Sequence, residues 1–477
     1  MKKIMATLAT LLTISAVPAQ AETELARAFP PIPAPSILVP SEGPGIGGAH
    51  WRLSGRMQNI FLWRNDSDFD RTPPYYDAHG QSVGLVGTFF APRLDIMPSE
   101  RLRMVAEVEL GLNIWSLQDA DAYDIHEPGF LRLAMRQLFM EGTFFNRALS
   151  FRAGYERVFD LSGLFMGHWI GAATLATAHS WGVLSLTAGQ LPDQTHEGVA
   201  FDSTNFNADT IVYGLRGDFP LGAYLLSASL WGLTDRQVVD QRLDLMTFTV
   251  RLGGLFENEL TRISFGLDAG VQYGTTSGRA AGHDERTLAW SAQGTLDAAR
   301  KLRPGGGAKL LLFANVMALS GDDDHDGNEF NGAWFYSGRS RSRTMLLTED
   351  LFRDRGGSID RRMSEPRHGD HGKFYLLRSG LLVADLSVGA ELAGFFRPFL
   401  TAGVGLTMNP ENALGSRFVG FETDLHLEFF YRDLLTVNLV QSVLLPGQAA
   451  AAFVNRTGDR QSTDPIYQIQ VIATMYF

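Results

Sequence analysis

The stretch YQIQVIATMYF, residues 467–477, decides the fold. Tyr467, Ile469, Val471, Ala473, Met475 and Phe477 share one parity. Gln468, Gln470, Thr474 and Tyr476 share the other, with Ile472 as the exception. A period of two means a β-strand with one apolar and one polar face. Soluble domains usually leave their last residues loose, whereas here the terminal Phe belongs to the pattern.

The other end of the chain supplies the context. MKKIMATLATLLTISAVPAQA, residues 1–21, has a positive start at Lys2 and Lys3, an apolar run from Ile4 to Val17, and small residues at Ala19-Gln20-Ala21. This reads as a bacterial secretory signal peptide, with the mature protein starting at Glu22. No later stretch is long and apolar enough for a spanning helix. Mean hydropathy is −0.04, and a barrel escapes hydropathy analysis because each strand is only half apolar.

Composition narrows the function classes. Cysteine is absent, which excludes disulfides, iron–sulfur clusters and thiol catalysis. The formal net charge is −11, and loss of Lys2 and Lys3 makes it more negative. That argues against a nucleic-acid partner. Of 41 Lys and Arg residues only Lys2, Lys3, Lys301, Lys309 and Lys373 are lysine. Either a GC-rich genome or a lumen that handles carboxylates or phosphates explains the arginine bias, since a guanidinium fork suits both anions.

Residues 22–48 contain six prolines, in FPPIPAPSILVPSEGPGIGG. Such a segment is extended and has no packed core of its own; it reads as a periplasmic N-terminal tail. From 49 to 477 the two-residue period returns again and again. Trp51, Leu53, Met57, Phe61 and Trp63 oppose Arg52, Arg56 and Arg64. Met104, Leu110, Leu112 and Ile114 oppose Arg103, Glu107 and Glu109. Ile263, Phe265, Leu267 and Val271 oppose Arg262, Asp268 and Gln272. Val419, Phe421, Leu425 and Phe429 oppose Glu422, Asp424, His426 and Glu428.

Strands with charge opposite a continuous apolar stripe do not suit a sandwich. They are also longer than soluble strands and match the roughly 9–11 residues needed to cross a bilayer. Connections alternate between tight turns, such as His179–Ser180, and long loops, of which 321–372 is the longest. Short turns on one side and long loops on the other mark outer-membrane barrels. Eighteen segments result, the first beginning near 50, the fourteenth near 373 and the last near 466. The expected fold is all-β: a transmembrane antiparallel β-barrel of about 18 strands in the bacterial outer membrane. Both termini are periplasmic, and loop 321–372 is extracellular. YQIQVIATMYF then closes the barrel on the first strand, because an open sheet edge is too costly in lipid. Its terminal Phe resembles the signal read by the barrel-insertion machinery.

The polar faces give the candidate pore lining. The basic members are Arg52, Arg56, Arg103, Arg132, Arg136, Arg152, Arg216, Arg251 and Arg262. The acidic members are Glu107, Glu109, Glu141, Glu156, Asp268, Asp297, Glu422 and Asp424. Rows of Arg beside carboxylates either hold oxyanions in transit or brace the wall by pairing. In SGDDDHDGNEF, residues 320–330, Asp322, Asp324 and Asp326 precede Gly327 in a D-x-D-x-D-G pattern. With Glu329 they form a candidate loop calcium site, the alternative being an acidic surface loop. No cofactor is otherwise required. No G-x-S-x-G elbow occurs, and no enzyme is expected.

Three stretches resemble the alginate-export family of outer-membrane barrels: 149–175 (LSFRAGYERVFDLSGLFMGHWIGAATL), 318–330 (ALSGDDDHDGNEF) and 419–449, with Gly420, Glu422, Asp424 and Pro446-Gly447. The resemblance implies an eighteen-stranded barrel and an Arg-lined conduit for an acidic polysaccharide. The leading expectation is thus a monomeric channel that passes an anionic solute, with export of an alginate-type polymer as one version. The alternatives are a general or small-carboxylate porin and a non-conducting structural or adhesion barrel. Outer-membrane lipid and lipopolysaccharide are the expected surroundings.

Overall fold

The computed structural model describes residues 41–44, 50–65, 83–99, 101–117, 131–145, 148–160, 163–191, 210–235, 241–278, 285–322, 330–334, 341–347, 379–454 and 462–477. The expected signal peptide, the expected tail up to residue 40 and most of loop 321–372 lie outside them.

Among the described residues, eighteen long antiparallel strands form one ring. They are β2 (His50–Arg64), β3 (Val83–Ser99), β4 (Leu102–Leu117), β5 (Leu131–Phe144), β6 (Leu149–Phe159), β7 (Gly167–His179), β8 (Gly182–Leu191), β9 (Thr210–Leu221) and β10 (Tyr224–Asp235). The ring continues with β11 (Gln241–Glu257), β12 (Thr261–Gly278), β13 (Glu285–Lys301), β14 (Lys309–Leu319), β16 (Leu381–Glu391), β17 (Phe396–Thr407), β18 (Phe418–Tyr431), β19 (Leu435–Pro446) and β20 (Ile466–Tyr476). Two short strands, β1 (Ser41–Pro44) and β15 (Phe330–Asn331), pair alongside.

Closure is made by β20 on β2, in register from Arg64↔Gln468 to Arg56↔Tyr476. Gly55 and Phe477 then exchange two backbone hydrogen bonds of 2.9 and 3.1 Å. The Phe477 ring stacks on Phe90 at 5.5 Å. Gly55 leaves the space for it, since a Cβ there would sit 2.6 Å from the ring. Below Gly55 the free edge of β2 is covered by β1, with Ser41↔Leu53 through Pro44↔His50. Every strand of the ring thereby has two neighbours, as a sheet in hydrocarbon demands.

The alternation in sequence becomes an outside and an inside. Leu53, Phe61, Leu112, Ile114, Leu267, Val271, Phe421 and Leu425 are exposed on the exterior, while Ser54, Glu109, Asp268, Gln272, Glu422, Asp424, Gln468 and Gln470 are buried on the interior. Toward the end that carries the short turns, outward rings stack in pairs: Phe144 on Phe151, Trp181 on Phe219, Tyr224 against Phe256, and Phe396 on Phe429. This is an aromatic girdle of the kind found at a membrane–water interface. An apolar band with such a girdle places the protein in the bacterial outer membrane. In these barrels the short-turn end faces the periplasm.

Two expectations need correction. The fourteenth barrel strand begins at Leu381 rather than near 373. Val419 does not share the lipid face with Phe421: it is fully buried, and Phe418 is exposed instead. The register slips between Gly405 and Leu406, pairing Gly405 with Gly420 and Leu406 with Phe418, so Val419 is skipped and turns inward. Such a bulge reverses the parity of the residues beyond it. The described parts of loop 321–372 fold into the barrel. Ile472, the exception in the closing strand, is simply an inward apolar residue packed on Ile60 and Phe89.

Candidate permeation path

The wall of β2–β6 carries two groups of ion pairs on its inner face. Glu109 binds both Arg136 and, at 3.4 Å, Arg56. Asp95 joins Arg93 at 3.0 Å and Arg103 at 2.5 Å, and Arg93 also lies 3.5 Å from Glu107. Glu141 then links Arg103 at 3.0 Å to Arg152 at 2.6 Å, and Arg152 reaches Glu156 at 2.8 Å. The carboxylates are the deeper partners. Arg103 and Arg152 keep 38% and 45% of their side-chain surface exposed, against 6% for Asp95 and 8% for Glu156. Pleating explains this, since a long Arg side chain reaches past a shorter Asp or Glu toward the lumen axis. Bracing and presentation of positive charge therefore coexist. The pairs hold the guanidinium groups in place, and the groups still meet water.

Elsewhere pairing is more complete. Arg251 and Asp268 form a buried pair at 3.0 Å between β11 and β12. Arg216 holds Asp218 at 2.9 Å. Near the turn end, Glu391 is shared by Lys309 at 2.6 Å and Arg397 at 2.8 Å.

The second component is a strap from the loop after β14. Trp334 is fully buried, and its backbone N–H donates to the Ser320 carbonyl at 3.0 Å. Its indole N–H donates to the carbonyl of Leu164, in the loop after β6, at 3.2 Å. Strands β6 and β14 stand nearly opposite in the ring, eight neighbours apart one way and ten the other. Leu164, Phe165 and Met166 are also fully buried, held by an Asp160 carboxylate that accepts from the backbone N–H of Phe165 and Met166 at 3.2 and 2.8 Å.

Residues 341–347 continue the strap along the β12–β18 wall. Glu422 accepts three successive backbone N–H bonds, from Met345 at 2.8 Å, Leu346 at 2.7 Å and Leu347 at 2.7 Å. Asp385 accepts the Arg343 N–H at 3.2 Å. Gly403 and Gly405 on β17 make the room: a Cβ on Gly403 would lie 2.3 Å from Thr344, and one on Gly405 3.1 Å from Leu347. Arg343 of the strap also lines the turn-end cavity. Its guanidinium lies over Phe313 at 4.4 Å and Phe399 at 5.1 Å.

Of the residues expected to line the pore, Arg56, Glu109 and Arg136 belong to one of the ion-pair groups just described, and Arg103, Glu107 and Arg152 to the other. Arg216, Arg251 and Asp268 belong to the β9–β12 wall. Arg52 occupies the inner face of β2 opposite Asp95 in register. Arg262 lines a turn-end cavity. Glu422 and Asp424 are not solvent-facing; both are fully buried, Glu422 beneath the strap. The side chain of Arg132 lies outside the described residues, as do Asp324, Asp326 and Glu329 of the candidate calcium loop. Asp322 is buried, and its backbone carbonyl accepts from Asn412 at 2.7 Å. Sequence reasoning missed Arg93, Asp95, Glu391 and Arg397 as wall residues. The alternation Phe89, Ala91, Arg93, Asp95 would have found the first two. It had no signal that Arg343 and Trp334 of loop 321–372 enter the barrel.

No protein-family model matches the chain, and no relative is found among curated proteins. Solved structures do match over most of the chain. OccAB2 of Acinetobacter baumannii aligns with a TM-score of 0.55 at 10% identity, over 91% of this chain and 99% of that one. OccK9 (OpdG) of Pseudomonas aeruginosa gives 0.55 at 12%, over 90% and 98%. A BenF-like porin of Pseudomonas fluorescens Pf-5 gives 0.55 at 11%, over 90% and 98%. The chain has the fold of an outer-membrane porin. At these identities the likeness extends to the fold alone. It lies with Occ and BenF-like porins, so the alginate-export resemblance receives no support from it.

Proposed function

We propose that this protein is a passive porin for small carboxylates. The observation that carries the reading is the β2–β6 ladder, in which paired but lumen-exposed arginines run along one wall. Guanidinium groups so placed replace part of a solute's hydration. The carboxylates behind them weaken the attraction enough for the solute to leave. The strap from Trp334 to Leu164 favours a small solute over a polymer, because an extended polysaccharide would have to thread past a segment anchored on opposite walls. OpdK of Pseudomonas aeruginosa, whose structure was solved with vanillate, has a similar fold with a TM-score of 0.53 at 11% identity. That solute is a small aromatic carboxylate, and the likeness supports the same class here.

Reversal potential in a planar bilayer under a KCl gradient, with swelling of liposomes in benzoate and in an oligouronate, tests this. Anion preference with benzoate entry and oligouronate exclusion is expected. Cation preference overturns the Arg path. Absence of conductance in correctly folded protein would favour a non-conducting barrel, the second reading, which the same strap supports.

A further inference from the structure

At the short-turn end, residues of β11, β12, β13, β14, β16, β17 and β18 and of the strap line a half-open cavity of about 620 Å³. Its charges do not cancel. Lys309 and Arg397 answer Glu391 and Glu428, with contacts of 2.6, 2.8 and 3.9 Å. Lys301 and Glu257, both in the lining, offset each other. Arg262, Arg343 and Asp297 remain, leaving one positive charge.

The two guanidinium groups are unspent. Among the described residues the Arg343 guanidinium makes no hydrogen bond. Its nearest carboxylate oxygen belongs to Asp297, at 3.7 Å, which is beyond hydrogen-bond reach. It is held in position by the faces of Phe313 and Phe399. Arg262 donates no side-chain hydrogen bond and forms no ion pair among the described residues, although it too lies in the field of Asp297. A guanidinium fixed by aromatic stacking rather than by an acceptor keeps its donors free, and ordering it costs little when a ligand arrives.

We propose that Arg262 and Arg343 form an oxyanion-binding site in this vestibule for a small monocarboxylate with an apolar body. The inference rests on the carboxylate-porin reading and adds a site distinct from the β2–β6 ladder. Each guanidinium offers a fork that matches a carboxylate. Leu311, Phe313 and Phe399 supply apolar surface for the rest of the solute. The single excess positive charge selects a monoanion, and Asp297 repels a dianion such as phosphate.

Calorimetric titration of the purified, folded barrel with sodium benzoate, inorganic phosphate and benzyl alcohol tests the site. Benzoate is expected to bind more tightly than phosphate, and benzyl alcohol not at all. R343Q and R262Q are each expected to weaken benzoate at least about tenfold, the cost of losing charge-assisted hydrogen bonds, while R303Q, at an exposed turn residue outside the lining, leaves binding unchanged. If R343Q fails to reach the heat-modifiable folded form, R262Q carries the test, because it has no internal hydrogen bond to lose. Unaltered benzoate affinity in R262Q, or tighter binding of phosphate, overturns the site. Benzoate flux that persists with these binding results would sink the site and leave the porin reading standing. Benzoate binding without flux would do the reverse.

Discussion

The indole N–H of Trp334 donates to the carbonyl of Leu164 at 3.2 Å, tying two loops together across the interior of the barrel. The residues are 170 positions apart in sequence. The indole also rests on Gly270 of β12, where a Cβ would come within 2.7 Å of it. One side chain thus joins three parts of the interior, which makes it the most informative position for mutation.

Trp334→Ala empties a fully buried site and removes the crossing contact. A loss of about 3–5 kcal/mol of stability is expected, together with higher single-channel conductance. Trp334→Phe keeps most of the volume and loses only the donor, at about 0.5–1.5 kcal/mol. Unfolding in denaturant and single-channel recording check both. Unchanged conductance in the Ala variant would show that the strap does not limit flow.

Glu422→Ala deprives the backbone N–H groups of Met345, Leu346 and Leu347 of their common acceptor. Each buried donor left unpaired costs about 1–3 kcal/mol, so the strap is expected to detach rather than bear the cost. Limited trypsin digestion should then cut after Arg341 or Arg343 faster than in the native protein. Glu422→Gln retains one acceptor oxygen and should fall between. Equal cleavage in all three proteins would dismiss the anchor.

Arg251→Met leaves the buried Asp268 carboxylate without its partner, with an expected loss of about 3–5 kcal/mol. The double variant Arg251→Met with Asp268→Leu should recover most of that loss, because apolar replacement of both partners removes the uncompensated charge. A double-mutant cycle in denaturant provides the measurement. Additive losses would mean that the pair is not coupled.

Gly55→Val places side-chain atoms against the Phe477 ring and the Ala91 carbonyl, which lie 2.6 and 2.7 Å from a Cβ at that position. The β2–β20 seam should then close poorly, seen as a reduced fraction of heat-modifiable protein after refolding into vesicles. Phe477→Ala removes the stack on Phe90 but keeps the backbone pairing, and is expected to be milder. Normal folding of Gly55→Val would show that the seam tolerates a displaced ring.

Much of the barrel could be read from the residues. HWRLSGRMQNIFLWR and YQIQVIATMYF each contain the strand and the face that now pair in register. Arg56, Arg103, Glu109 and Arg152 were legible as inward because period-two alternation is a local property of each strand. Val419 was misread because a bulge opposite Gly405 depends on the neighbouring strand, not on its own. Glu422 and Asp424 were legible as inward but not as covered.

The sequence by itself determined the strands, their two faces, the closing pair of strands and the arginine-rich interior. Each follows from a two-residue period and from the cost of unpaired backbone in lipid. The tertiary structure alone decided which carboxylate each arginine meets, that the loop after β14 turns inward, and that Glu422 holds it there. Those outcomes depend on side chains distant in sequence meeting in a closed space, and no local pattern of residues encodes where a loop will find its acceptors.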